Sequence, residues 1–495
     1  MADMDDPILG YFPDAELVIA LVYPLGTERI GLEATLKDYL GQFGYETNPI
    51  RLTKVFPELL TRLGEQWQPP GGPAELAHYK IEAGNRIRRL TGSKDILARV
   101  AAGLIHTDRP EEASNKEKED EREELGQLLP RTAHLILSLK RPEEVDTLRR
   151  IYGSGFFLVG LSSSKEHRDE YFKQKGIPEG EQSALIDQDA AEVEEYGQQT
   201  RQTFHLADVF FTTENYQTEV PRFLDLVFGC PTITPTHEEQ AMFMAYAASL
   251  RSGDLSRQVG AAIIDADGDL LSVGYNDVPK YGGGLYGPEK DSNRDIEKGC
   301  DSNELEKSRM IEEILKKLGR TDLTVDQAKS ILKPTGLTDI TEFGRTVHAE
   351  MEALLTCART ARSTRNATLY TTTFPCHNCC RHIIAAGITK VVYVEPYPKS
   401  KAPTLHSDAI SVDQTTEKKV PFLPFIGIGP RRYFDLFSLE LSTGYPIERK
   451  EGGKLKPWRR RDAPPRLQMQ PTTYLTRESL AWESLNALIS NKKEN

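Results

Sequence analysis

A chain of 495 residues exceeds what one ordinary hydrophobic core serves, so two domains are expected, with room for a third. Its 38% hydrophobic and 27% charged residues are those of a soluble globular protein, and no apolar run approaches the roughly 20 residues of a membrane helix. A net charge of −12 argues against a surface built mainly to hold a nucleic-acid backbone, although it leaves room for a local basic patch.

The opening, MADMDDPILGYFPDAELVIA, is acidic and lacks the basic start of a secretory leader, so a cytoplasmic location is expected. Residues 16–23 (ELVIALVY) read as a buried strand, followed by a Pro/Gly turn and a helix over 32–43. Short apolar strands follow at 133–139, 156–161 and 209–212, separated by charged helical stretches, which is the rhythm of a parallel α/β sheet. The acidic segment DRPEEASNKEKEDEREEL, between residues 107 and 125, reads as a solvated helix or mobile loop. At CPTITPTHEE, residues 230–239, two prolines precede a helical run, and the domain boundary is expected there.

A second α/β unit then begins. It predicts a helix over 240–250, strands at 260–264 and 270–275, a helix from 347, a strand at 367–373, a helix from 376 and a strand at 390–394, together a mixed sheet faced by helices. A long insertion, 277–343, is Gly-rich at KYGGGLYG and then charged; such inserts serve as lids, interface arms or disordered segments. The three expected parts are therefore 1–229, 230–448 and a basic extension, 449–495, read as a solvated tail. No internal repeat is visible.

The chemistry lies in two short motifs. His348-Ala349-Glu350 opens one helix, and Pro375-Cys376-His377-Asn378-Cys379 opens the next, an H-x-E and P-C-x-x-C pair. A catalytic zinc takes three protein ligands of nitrogen and sulfur type and keeps one position for water, which His348, Cys376 and Cys379 satisfy. The three-residue spacing returns both sulfurs to one side of a helix, and its N-terminal N–H groups favour thiolates. Glu350, two residues from His348, lies near such an ion without binding it and suits proton transfer from water to the ring nitrogen and leaving amine. The competing reading is a structural zinc site with Cys380 or His377 as fourth ligand; helix placement, the glutamate and the preceding proline, none needed by a structural site, favour catalysis. Cys380, His377 and His382 are then neighbours. Six cysteines, three of them within five residues, form a metal pattern and not a disulfide framework.

These residues resemble the cytidine/deoxycytidylate deaminase family, over Glu238 to about Ile410. Ser256-Arg257-Gln258-Val259-Gly260-Ala261 and Gly274-Tyr275-Asn276-Asp277-Val278-Pro279 are similar to the paired strands of deoxycytidylate deaminases. The resemblance implies a cytidine-deaminase-like α/β/α sandwich, one zinc per chain, Asn276 on the sugar and Ser256, Arg257 and Gln258 around the nucleotide; read on the residues alone, Asn276 could equally cap a turn. Two departures are Glu352, where H-A-E-M-N-A would place Asn, and the long insertion. Glu395-Pro396-Tyr397-Pro398-Lys399-Ser400 and Leu405-His406-Ser407-Asp408-Ala409-Ile410 are similar to two-domain bacterial anti-phage dCTP deaminases, and Lys399 becomes a candidate phosphate ligand.

In the same proteins Tyr23-Pro24-Leu25-Gly26-Thr27-Glu28-Arg29-Ile30 would be a strand-to-helix phosphate loop, but the Lys and Ser/Thr of a working P-loop are replaced by Arg29 and Ile30. Gly26, Thr27 and Arg29 thus mark a degenerate P-loop kinase-like parallel sheet, which residues 138–145 and 149–153 also resemble and for which the family implies regulation or sensing. The expected activity is deamination of free dCTP or dCMP, depleting dCTP in antiviral defence, by a cytoplasmic homo-oligomer open to a nucleotide effector and to an inhibitory RNA or other regulator. The alternatives are a polynucleotide cytosine or adenine deaminase, which would add a basic groove and stacking aromatics, and a nucleotide sensor with a structural metal and an active kinase module.

Overall fold

The structure, a computed structural model, describes residues 12–110, 128–191, 194–335, 337, 340, 342–394, 400–412 and 414–490. Most of the acidic 107–125 segment falls outside these residues, as does Lys399. The chain divides into two compact units: one contains the described residues up to Glu239 and from Pro424 onward, the other those from Gln240 to Leu423.

The first unit is built on β1 (Leu17–Val22), β2 (Glu46–Arg51), β3 (Thr132–Leu137), β4 (Phe156–Ser162) and β5 (Val209–Thr212), all parallel in the order β2-β3-β1-β4-β5. Every residue of β1, β4 and β5 is buried, as expected of a parallel sheet covered on both faces. Helix Ile30–Gln42 packs Leu32, Leu36 and Leu40 into the same core as Leu17, Ile19 and Leu21.

The sequence division is corrected on the C-terminal side, where the chain returns to the first unit at Pro424. Gly427–Ile428, expected in the second domain, pairs antiparallel with β5 of the first unit. The expected tail is built into that unit as well: Arg466 is fully buried and donates to the carbonyls of Tyr445, Leu436, Ser438 and Leu439. Trp458 Nε1 donates to Phe228 O, and helix Pro471–Ser490 buries Tyr474, Leu475, Glu478, Ala481, Leu485 and Ile489. Arg466 is an internal hydrogen-bond donor, which a reading of net charge cannot distinguish from a solvated face.

The second unit holds β6 (Gly260–Ile264), β7 (Leu270–Tyr275), β8 (Thr368–Thr371), β9 (Lys390–Tyr393), β10 (Ile410–Val412) and β11 (Val420–Pro424), in the order β10-β11-β9-β8-β6-β7. β6 is antiparallel to both β7 and β8, whereas β8 and β9 run parallel, so the sheet is mixed. A Cβ on Gly260 would lie 1.8 Å from Ala245 O, and one on Gly274 would lie 2.1 Å from Ala349 O. Because Gly260 pairs with Tyr275 and Gly274 with Ala261, the two bare positions lie on opposite faces. They let helices His237–Ser249 and Ala349–Arg359 press against opposite sides, giving the α/β/α layering. The insertion carries helices Ser302–Lys317 and Val325–Leu332, capped by Asp301 and Thr324. No helix among the described residues is long and apolar enough to cross a membrane.

Candidate active site

Two helix starts meet beside β8. Asp277, at the end of β7, bridges to Val347 through Asp277 N–H to Val347 O (3.3 Å) and Val347 N–H to Asp277 O (2.8 Å), which delivers the next residue, His348, to the N-cap of helix Ala349–Arg359. Cys376 is the N-cap of helix His377–Ala385 and accepts the Cys379 N–H on its sulfur at 3.4 Å. His348 Nδ1 then stands 3.3 Å from Cys376 Sγ and 3.4 Å from Cys379 Sγ. Zinc bonds of about 2.0–2.3 Å at tetrahedral angles set nitrogen and sulfur ligands roughly 3.5 Å apart, so the donor set fits the ion. Among the described residues this is the one group of three or more His, Cys, Asp or Glu ligand atoms close enough to share an ion.

Charge follows the same geometry. The Cys379 thiol and the His348 imidazole, working against burial, hold Cys376 at about 3, a ready thiolate. The hydrogen bond with Cys376, opposed by burial and helped by the Glu350 charge, lifts His348 to about 9. Cys376 and burial push Cys379 well above its ordinary value. Cys380 is pushed up to about 12, first by burial and then by the Cys376 charge, and it lies outside the ligand group. Glu350 is 3% exposed, accepts from Cys379 Sγ at 3.5 Å and has a raised pKa, burial being the main cause.

A cavity of about 160 Å³ opens onto His348, Glu350 and Cys376, with Phe374 and Val259 among its apolar walls. Ser256, Arg257 and Asn276 line it; Gln258 does not, and its Nε2 donates instead to Ser252 O at 3.0 Å. Asn276 uses its side chain inward: Oδ1 accepts the Val259 N–H at 2.7 Å and Nδ2 donates to Arg257 O at 3.0 Å. Ser256 Oγ donates to Asp254 at 2.7 Å, while Arg257 is exposed and makes no ion pair among the described residues. Glu352, the departure from the family pattern, lies outside the cavity lining and accepts from Arg359 at 2.6 Å. The insertion adds wall residues the sequence reading missed, Asp295, Asp301 and Asn303. The N-cap pattern Asp301-Ser302-Asn303-Glu304 signalled a helix start there, though nothing signalled its neighbour in space.

The residues marked as a phosphate loop sit between β1 and helix Ile30–Gln42, with Gly26 at φ +89°. Three N–H groups here face the chain's own carboxylates, and that of Thr27 donates to Pro24 O. Leu25 N–H donates to Asp189 at 2.8 Å, and Ile30 and Gly31 N–H donate to Glu28 at 2.6 and 3.3 Å. Arg29 is spent on Glu33 at 2.8 Å, and Thr27 is buried.

Residues 235–395 match the family described as the cytidine and deoxycytidylate deaminase zinc-binding region. ComE operon protein 2 of Bacillus subtilis (strain 168) is 49% identical over 53 residues, 11% of this chain and 28% of that protein. Deoxycytidylate deaminase of Enterobacteria phage T4 is 46% identical over 55 residues, again 11% and 28%, and that of Homo sapiens 24% over 156 residues, 32% and 63%. The chain thus spans less than two thirds of each of these relatives. The apo crystal structure of the dCMP deaminase of cyanophage S-TIM5 aligns over 39% of this chain and 99% of its own, at 18% identity and a TM-score of 0.23. The family match and the sequence relatives together make residues 235–395 similar to the cytidine and deoxycytidylate deaminase zinc-binding region.

Proposed function

We propose that the protein is a zinc-dependent deaminase converting free deoxycytidine nucleotides, dCTP or dCMP or both, to their deoxyuridine forms. The observation that carries this reading is the convergence of His348, Cys376 and Cys379 at a small cavity beside buried Glu350. Zinc held by those three ligands would supply a Lewis acid and a water acidic enough to attack C4 of cytosine near neutral pH. Glu350 would take a proton from that water and return it to the ring nitrogen and the departing ammonia; a carboxyl whose burial raises its proton affinity suits a group that holds a proton between transfers. Phe374 and Val259 would shield the ring from bulk water, and the unpaired Arg257 would meet phosphate at the mouth. Asp254, Asp295 and Asp301 in the same wall disfavour a polyanionic strand, which supports free nucleotides over a polynucleotide.

The resemblance supports the finer parts: depletion of dCTP in anti-phage defence in the cytoplasm, a regulatory P-loop kinase-like first unit, a homo-oligomer, and control by a nucleotide effector or an inhibitory RNA. Purified protein offered dCMP, dCTP, CTP and a cytosine-containing single strand, with zinc measured by elemental analysis, tests the proposal. One zinc per chain with deoxyuridine nucleotides as the main products is expected; preferential deamination of the strand, or full activity without zinc, would overturn it.

A further inference from the structure

We propose that the first unit binds a phosphate group in a cleft separate from its strand-to-helix loop. The cleft, about 830 Å³, is walled by the loop 91–95, by helix Pro142–Tyr152 and by residues that follow Pro424. It is of ligand-site size. Pro142, Glu143 and Arg149, from two stretches whose sequence stood out and whose role the deaminase chemistry leaves open, line it, and no residue of the 23–30 loop does.

Two arginines of the cleft differ from its other charges. Each acid of the lining has a cation of its own: Asp95 with Arg99 at 3.1 Å, Glu195 with Lys94 at 3.0 Å, Glu143 with Arg141 at 2.9 Å and Asp146 with Arg150 at 2.8 Å. Arg149 and Arg431 differ. Both turn to Asp208, at 3.1 and 3.9 Å, a carboxylate already shared with Arg432 at 3.5 Å and with the Leu158 N–H. Arg432 has a second partner in Asp435 at 3.0 Å, so three guanidinium groups face two carboxylates. One positive charge is left over, and Arg431, 56% exposed, has no carboxylate nearer than Asp208 at 3.9 Å among the described residues.

The crowding is felt by its neighbours. Burial, together with Arg431 and Arg432 and against the pull of Asp208, lowers the proton affinity of Arg149. Arg149 Nε, on the cleft wall, is buried with no hydrogen-bond partner among the described residues, an arrangement that costs free energy unless an acceptor completes it. A phosphate group supplies both the missing charge and several acceptor oxygens, and arginine forks suit it. The Tyr196 ring on the same wall gives a larger phosphorylated molecule a face to pack on, while the Ser93 and Thr147 hydroxyls are already donated to Asp95. The four acids around the rim favour one compact anion over a long polyanion.

Calorimetric titration and thermal melting of the full chain with inorganic pyrophosphate, then with ATP, which has no cytosine for the deaminase cavity, test the site. Pyrophosphate should bind one per chain and raise the melting temperature. Arg431→Gln, a change at a largely exposed position, should weaken binding roughly tenfold or more. Arg29→Gln in the loop should leave it unchanged, and deamination without effector should be the same in all three proteins. Tighter binding of ATP than of pyrophosphate would mark the ligand as a nucleotide, and equal binding would mark it as the phosphate group alone. No binding by the parent protein, or binding lost with Arg29→Gln and kept with Arg431→Gln, would overturn the proposal.

Discussion

The side-chain oxygen of Asn276 accepts the backbone N–H of Val259 at 2.7 Å, and its amide donates to Arg257 O at 3.0 Å. Asn276 thereby fixes the loop that carries Ser256 and Arg257 to the cavity. Replacing it by Ala leaves a buried N–H without an acceptor, a cost of about 1–3 kcal/mol. Asn276→Ala should therefore lower the melting temperature and raise KM for the nucleotide while zinc stays stoichiometric. Loss of zinc alongside activity would show that the residue acts on the metal and not on the loop.

Glu350 is separated from the ligand role by geometry, since the three ligand atoms come from His348, Cys376 and Cys379 and its carboxylate accepts from Cys379. Glu350→Gln keeps the shape and removes the proton carrier. A loss of about 10²–10⁴-fold in kcat is expected, with zinc content unchanged by elemental analysis. Activity within tenfold of the parent would remove Glu350 from the proton path.

How much of this was readable from sequence depends on range along the chain. Strands β6 and β7 fall at 260–264 and 270–275 as their apolar patterns predict, and one helix turn sets Cys376 beside Cys379, while the bridge from Asp277 to Val347, far apart in sequence, brings His348 and Glu350 to them. β2 escaped notice because ETNPIR is polar, contains Pro49 and buries only Ile50, as an edge strand can. Helix Pro471–Ser490 was hidden for another reason. Its buried stripe includes Glu478, a residue that reads as solvent-facing until its partner Arg109, 369 positions earlier, is seen at 2.7 Å. Asp295 and Asp301 reach the cavity through the insertion's own fold, which no local pattern records.

That same helix gives a stability prediction. A Cβ at Gly103, on helix Ile96–Thr107, would lie 2.6 Å from the Trp482 ring. Gly103→Val should force the ring from its seat and destabilise the first unit by about 1–3 kcal/mol, read as a lowered melting temperature. If the region were a solvated tail, the substitution would leave melting unchanged.

Glu16 predicts an acid limb. It accepts from Arg109 at 2.8 Å, from Tyr474 at 2.7 Å and lies 2.9 Å from His134 Nε2. Burial would raise its pKa, but His134 and Arg109 overrule that and hold it at about 2, below its ordinary 4.5. A carboxyl depressed by folding adds stability that is present above pH 4.5 and lost as pH falls through about 2, here on the order of 3 kcal/mol. In denaturant melts, Glu16→Gln should be much less stable than the parent at pH 7, and the gap should narrow steadily between pH 4.5 and 2. A gap independent of pH would show that the ionised form of Glu16 contributes nothing.

The strand-to-helix loop of the first unit supports a last expectation, that the protein transfers no phosphate. A phosphate loop works because free N–H groups and a helix N-terminus converge on the anion. In this chain Asp189 accepts Leu25 N–H and Glu28 accepts Ile30 N–H, so two carboxylates already occupy donors that a nucleotide would need. Lys140, the nearby cation, is committed to Asp189 at 2.7 Å and to Tyr23 O at 2.8 Å. Displacing a carboxylate that is 1% exposed and ion-paired would leave Lys140 unmatched, so nucleotide binding there must overcome a buried ion pair as well as its own ordering. Incubation of the parent protein with γ-labelled ATP and each deoxynucleoside monophosphate should yield no labelled diphosphate. Asp189→Asn should lower the melting temperature by weakening the Lys140 contact, without creating transfer. Measurable transfer by the parent would show that the carboxylates do not block the loop, and its appearance only on Asp189→Asn would show that they gate a working site.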